Sequence, residues 1–359
     1  MKYIIVTQTY PPRIGGMQNV MASISERLAF IEDTHVFPDH FLSKKCNYSN
    51  SQLQIHNNFS PKLLRPFIKK YLIDKVYKDN DVVICDSWKS INAVPSRIKK
   101  IFVLAHGQEF LSTNKKFGLI KKSLDRANCI ICSSNYTENL IREFKVTDTK
   151  KIVIPPTYSI EIPTKSRTKL KKKSKLVSLL TISRLEERKG IIPVLKSLSE
   201  LNKNKFLKPF LWNICGEGPQ TNEIKKCIKS FGLSEQVKLI GKISRHDKVD
   251  FIQNCDLFVM PSYKVKNSIE GFGISYIEAA AYGIPSIAGI EGGVVDAVAN
   301  SRTGWCIDPL NLKELADTLK DAINNEKKRE EYGLQAQKQF VDYFSGEKVF
   351  RKLMDTISI

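Results

Sequence analysis

At 359 residues the chain exceeds what one ordinary core supports and suits two domains of the usual size. A hydrophobic share of 42% and an aromatic share of 9% exclude a disordered chain. The net charge of +20 favours polyanionic partners and leaves nucleic acid, an acidic membrane surface and phosphorylated small molecules open.

The N-terminus, MKYIIVTQ, has too short an apolar run for a signal peptide, which predicts a cytoplasmic protein. KYIIVT reads as a buried strand, and Gly15 and Gly16 follow it just before a helix predicted over 17–30. Glycines at a helix N-terminus let an anion approach free backbone N–H groups; a bland turn would use them too, although Pro11 and Pro12 already give a stiff entry. Residues 61–78, PKLLRPFIKKYLIDKVYK, set Leu63, Leu64, Phe67, Ile68, Tyr71 and Leu72 beside Arg65, Lys69, Lys70, Lys75 and Lys78. That is the pattern of a basic helix lying in anionic headgroups, or of a core-facing helix with a solvated lysine face. Asp79-Asn80-Asp81 has a metal-binding DxD form but precedes the strand VVIC, so it is read as a turn.

His106 follows the strand IFVLA and is the only histidine placed at a predicted strand's carboxyl end. An isolated histidine is usually structural. Lys115, Lys116, Lys121 and Lys122 add a second basic patch. Cys129 and Cys132 fall in a strand, NCIICSS, where i and i+3 face opposite ways, so the pair is read as reduced core thiols and not as a disulfide or zinc ligand set. After KIVIP, the Pro- and Lys-rich run around 165–175 reads as a linker between domains 1–164 and 176–335.

The second half repeats the alternation with VSLLTIS, PFLWNICG, QVKLIG, DLFVMPS and PSIAG. Arg184 and Lys189 lie in the loop after the first of these, Gly216 in a glycine turn after the second. Thr221 stands where a dinucleotide fingerprint needs its last glycine, which disfavours a nicotinamide enzyme. In SIEGFGISYIEAAAYGIPSIAG the glycines place a helix start near Gly273, with Glu270 before it and Glu278 inside it. The helix N-terminus would take a phosphate and a carboxylate a turn further on could accept ribose hydroxyls; the bland alternative is one acid on a helix dipole and one on a surface. A final segment, 336–359, carries Phe340, Phe344, Val349 and Leu353 at helical spacing and is read as a helical tail packing back on the first domain.

Strands buried on both faces with helical crossovers define an α/β chain of two Rossmann-like, doubly wound parallel-sheet domains facing a cleft. The motifs YPPRIGGMQNV, HGQEF, CSSNYT, VIPP, ISRLEERKG, ICGEGP, CDLFVMPS, Glu270-x7-Glu278 and EGGVVDAVANSRTGWCIDP together resemble the family 4 retaining glycosyltransferases of GT-B fold. The PPRIGGMQ and HGQEF forms look most like mannosyltransferases acting on phosphoinositide or lipid-linked acceptors.

The resemblance implies that Glu278 binds the donor ribose and Glu270 the transferred sugar, with the backbone of Phe272 and Gly273 on the diphosphate. It places Arg184 and Lys189 on the leaving diphosphate, Gly15, Gly16 and Gly216 in glycine turns around the donor, and His106 near sugar and acceptor. Asp296 replaces the family's common glutamate, so no role is carried over there. The expected activity is metal-independent, cofactor-free transfer of a hexosyl group, mannosyl first, from a nucleotide sugar. GDP-mannose comes first as donor, UDP-hexose or UDP-N-acetylhexosamine next. The acceptor would be a lipid-linked or polysaccharide precursor of lipopolysaccharide or capsule, met on the inner face of a bacterial cytoplasmic membrane. The competing readings are a GT-B sugar-nucleotide epimerase, which fits the membrane features poorly, and a basic nucleic-acid-binding protein. The latter lacks a recognition module or aromatic stacking motif, so no nucleic-acid partner is expected.

Overall fold

The computed structural model describes residues 1–359 apart from 14, 40–49, 59, 62, 112–115, 147, 164–175 and 359. The stretch read as a linker, 165–175, and Lys115 lie outside the described residues. The chain divides into two compact units, Met1–Ser159 with Gly346–Ile359, and Ile160–Ser345.

The first unit is built on β1 (Tyr3–Thr7), β2 (Thr34–Pro38), β3 (Leu53–Ile55), β4 (Val82–Cys85), β5 (Ile101–Ala105), β6 (Cys129–Cys132) and β7 (Lys150–Val153). Its helices are α1 (Gly16–Ala29), α2 (Arg65–Val76), α3 (Phe117–Leu124) and α4 (Asn135–Arg142). The strands run parallel in the order β3-β2-β1-β4-β5-β6-β7. Every residue of β1, β4, β5 and β6 is buried, as a sheet covered by helices on both faces demands. Cys129 and Cys132 are free thiols in that core, and burial pushes Cys129 up to about 11.

The second unit holds β8 (Val177–Ile182), β9 (Phe210–Cys215), β10 (Val237–Gly241), β11 (Leu257–Met260), β12 (Ser286–Gly289) and β13 (Gly304–Ile307). Its helices are α5 (Ile191–Lys203), α6 (Thr221–Ser230), α7 (Arg245–Gln253), α8 (Ile274–Ala281), α9 (Val294–Ala297), α10 (Leu312–Asn324) and α11 (Glu326–Gln339). The parallel order β10-β9-β8-β11-β12-β13 reverses direction between β8 and β11. That switch point is where a doubly wound sheet opens a crevice beyond its carboxyl ends. The last helix, α12 (Gly346–Ile357), belongs to the first unit: Lys352 Nζ donates to the Val153 carbonyl at 2.8 Å and Phe350 lies under the Arg27 guanidinium.

Three described strands are absent from the sequence reading. β2 is THVFP, with a histidine and a terminal proline, β3 is three residues long, and β13 is the four-residue GWCI. None gives a long apolar run, and each is placed by parallel pairing to a neighbouring strand. β3 also corrects the placing of His106, because His56 follows a strand as well. His56 Nε2 and His35 Nδ1 lie 2.9 Å apart, and burial pushes His56 down to about 4, so this pair is a neutral packing feature at the sheet edge.

α2 also departs from the expected pattern. Lys69, read as part of a basic outer face, is only 2% exposed; its ammonium pairs with Asp39 and donates to the Thr7 carbonyl at 3.0 Å. Leu63, Leu64, Phe67 and Tyr71 point outward instead, so the helix shows apolar and basic groups to the same side. Asp81 of the DxD-like stretch accepts from the Lys2 and Lys78 amides at 2.8 Å each, and Asn80 takes a left-handed φ of 79°, which is a turn. No helix of the described residues is long and apolar enough to cross a membrane.

Candidate functional site

The loops beyond β8 and β11 carry the charged residues of the second unit. After β8 the chain runs through Arg184 to Lys189 and enters α5 at Gly190, whose left-handed φ of 72° only glycine adopts without strain. A Cβ there would press into the Pro261 carbonyl oxygen, so the loop is seated directly on the end of β11. The Tyr263 amide donates to the Arg188 carbonyl at 2.9 Å and locks the same junction.

Glu270 is the hub. Its Oε2 accepts from the Lys189 ammonium and, at 2.6 Å, from Arg188 Nη1; the three side chains are 16%, 8% and 13% exposed. Burial pushes the Glu270 carboxyl up, but Lys189 and Arg188 outweigh it and hold the group at about 2. Arg188 Nε also donates to Glu186 at 3.1 Å, and Glu186 takes Arg184 Nη1 at 3.0 Å. Arg184 is 74% exposed, so its guanidinium has the freedom to meet a ligand. The Glu270 main chain is held too: the Gly293 amide donates to its carbonyl at 2.9 Å, and Gly292, with φ of 77°, leaves no room for a Cβ against that oxygen. The second glycine pair of the sequence is therefore a brace for Glu270.

Three residues on, Gly273 caps α8 with φ of 92°, after buried Phe272. α8 has no acidic residue in its first turn and no side-chain cap, so its first amide N–H groups keep their capacity for an anion. Glu278, in the body of α8, forms an ion pair with Lys248 of α7. Gly216, after β9, packs against the Ser183 carbonyl, and the Leu185 amide donates to Glu217 O at 3.0 Å, so the glycine turn supports the Arg184 loop from behind.

The structure thus brings Lys189, Glu270, Phe272, Gly273 and Glu278 to one sheet end, with Arg184 on its rim and Gly216 beneath. Arg188 and Lys248 escaped the sequence reading. Arg188 was legible as a third cation in SRLEERKG, whereas Lys248 lies on a helix 30 residues from its partner.

Gly15, Gly16 and His106 lie in the first unit, at the carboxyl ends of its strands. Gly15 caps α1, whose first turn also lacks an acid or side-chain cap. Asp86, just past β4 at the switch point beside β1, accepts from Thr7 Oγ1 at 2.9 Å and the Gln8 amide at 2.7 Å. His106 Nε2 donates to the Asp86 carbonyl at 3.0 Å, because a carbonyl can only accept, and in the neutral ring this leaves Nδ1 as the acceptor. The His106 amide donates to Glu109 at 2.8 Å.

Two doubly wound parallel-sheet units, one with cations, carboxylates and a bare helix N-terminus at its switch point, define the GT-B class of glycosyltransferase fold. Anabaena HepE in complex with UDP-glucose superposes with a TM-score of 0.78 at 17% identity, covering 100% of this chain and 99% of that one. WaaG, a glycosyltransferase involved in lipopolysaccharide biosynthesis, gives 0.70 at 16% identity, covering 99% of each chain. Residues 163–339 match the family described as Glycosyl transferases group 1. Among curated proteins, the 2-deoxystreptamine N-acetyl-D-glucosaminyltransferase of Niallia circulans is 28% identical over 205 residues, 56% of this chain and 50% of that protein. A GDP-mannose-dependent alpha-(1-6)-phosphatidylinositol monomannoside mannosyltransferase of Mycobacterium tuberculosis is 26% identical over 163 residues, 44% of this chain and 42% of that protein. The matched segments span half or less of these curated relatives.

Proposed function

We propose that the chain is a glycosyltransferase of bacterial cell-envelope glycan synthesis. In this reading it transfers a hexosyl group, mannosyl first, from a nucleotide sugar to a lipid-linked or polysaccharide-precursor acceptor with retention of anomeric configuration. The observation that carries this reading is the Lys189–Glu270–Arg188 cluster beside the open N-terminus of α8. Cations and peptide dipoles held in one place stabilise negative charge as it grows on a leaving diphosphate. Lys189, Arg184 and the Phe272–Gly273 backbone would take the diphosphate, Glu278 the ribose and Glu270 the sugar hydroxyls. His106, with Nδ1 as acceptor, would meet a hydroxyl of the transferred sugar or the acceptor. Charge neutralisation by these groups is what would make a metal ion dispensable. UDP and UDP-glucose in HepE, and the printed GDP-mannose dependence of the mycobacterial relative, support a nucleotide-sugar donor without choosing its base.

The acceptor side rests on α2 and its approach. Leu63, Leu64, Phe67 and Tyr71 stand exposed among Lys70 and Lys75, with the Lys75 ammonium over the Tyr71 ring at 4.5 Å. Apolar groups entering the headgroup layer beside lysines that meet anionic lipid would hold the protein at the inner face of the cytoplasmic membrane. A thermal-shift screen of UDP, GDP and their hexose conjugates, followed by turnover with lipid-linked acceptors, tests the reading. Saturable stabilisation by one nucleoside diphosphate supports it. No stabilisation by any of them overturns it, and indifference to anionic lipid in liposome flotation overturns the membrane part alone.

A further inference from the structure

Lys189 and Arg188 both bind the same oxygen of Glu270, Oε2. Among the described residues Oε1 has no hydrogen-bond partner, although the carboxylate is ionised and its side chain only 16% exposed. The two cations are not equivalent. Arg188 is fixed at three points: Nη1 on Glu270 at 2.6 Å, Nε on Glu186 at 3.1 Å, and its carbonyl under the Tyr263 amide at 2.9 Å. Lys189 has Glu270 as its one side-chain partner among the described residues, and its flexible stem ends in a point charge with three donors.

On the reading proposed above, the Lys189 ammonium serves the donor's diphosphate. An ammonium that turns to phosphate loosens its hold on Glu270 and would strip a buried carboxylate of its counter-charge, unless a second cation stays behind. We infer that Arg188 is a positioning residue for Glu270: it keeps the carboxylate in place when Lys189 engages the diphosphate, and it leaves Oε1 directed to a hydroxyl of the transferred hexose. The planar guanidinium suits this task because it bridges Glu186 and Glu270 at once, a geometry an ammonium does not reproduce. Arg188 acts on the sugar end of the donor alone and touches neither the ribose nor the base.

The test compares wild type with Arg188→Gln, Arg188→Lys and Glu270→Gln, using UDP, UDP-glucose, GDP and GDP-mannose as probes. Dissociation constants are measured by calorimetry and turnover with the donor that wild type uses. In Arg188→Gln the affinity for the nucleoside diphosphate stays within about threefold of wild type. Turnover falls about tenfold to a hundredfold, the worth of a charge-assisted hydrogen bond, and most of the loss is in kcat. The extra affinity of the sugar conjugate over the bare diphosphate falls to the Glu270→Gln value. Arg188→Lys recovers part of the turnover, and if Arg188→Gln does not fold, the same comparison is read from Arg188→Lys against wild type. An equal loss of diphosphate affinity and turnover would make Arg188 a scaffold or phosphate residue and overturn the inference, as would full activity in either variant. Wild type that binds none of the four probes overturns the proposed function itself, which separates the two failures.

Discussion

Replacing Glu270 by glutamine removes the one carboxylate that pairs with Lys189 among the described residues and leaves that ammonium and the Arg188 guanidinium facing a neutral amide. The structure sets the cost in two ways. The carboxyl is held at about 2 against an ordinary 4.5, and at about 1.4 kcal/mol per pH unit that is roughly 3 kcal/mol at neutral pH. Breaking a buried ion pair by removing one partner costs about 3–5 kcal/mol in general, so the two routes agree. The pH dependence has a definite sign. A carboxyl depressed in the folded state stabilises above its unfolded pKa and loses that contribution as pH falls toward the folded value. The gap between wild type and Glu270→Gln should therefore be about 3 kcal/mol at pH 7 and pH 5 and shrink to about 1.4 kcal/mol at pH 3. Urea denaturation in a Trp88→Phe background reads it cleanly, because Trp212 and Trp305 then report on the second unit alone. A second outcome follows from the same charges: a nucleoside diphosphate restores the missing anion, so it should raise the Tm of Glu270→Gln by more than that of wild type. A variant within 1 kcal/mol of wild type at pH 7, or a gap unaltered by pH, would refute the ion cluster as described.

Glu278→Ala should weaken UDP or GDP binding at least about tenfold by calorimetry, since two ribose hydroxyl bonds go with it, whereas Lys248→Met, which only frees the carboxylate, should tighten it by less than about fivefold. Gly190→Ala should destabilise the second unit by about 2–3 kcal/mol in the same denaturation assay, because a Cβ at φ of 72° meets the Pro261 carbonyl. Lys69→Met should cost the first unit about 2–3 kcal/mol by removing the ammonium that pairs with Asp39, while Lys70→Ser, at an exposed position, should cost less than about 0.5 kcal/mol and weaken flotation with anionic liposomes.

Much of this protein was determined by local sequence. Apolar runs such as YIIVT, VVIC and LFVM specify strands buried on both faces, because each residue must find an apolar neighbour whichever way it points. Gly273 before ISYIEAAA and Gly283 after it mark α8 to within a residue, since backbone freedom and helix propensity are properties of single residues and near neighbours. The placing of Glu270, Arg184 and Lys189 in loops after strands, and of Glu278 inside the helix that follows, comes from the same alternation. Tertiary structure alone decided which charges meet. Lys248 reaches Glu278 because α7 and α8 converge, Arg188 joins Lys189 on a single oxygen because Gly190 seats the loop on Pro261, and Lys69 turns inward because Asp39 and the Thr7 carbonyl await it. A charge has no intrinsic preference for one partner along the chain; its energy depends on distance and burial, and both exist only once distant segments have packed.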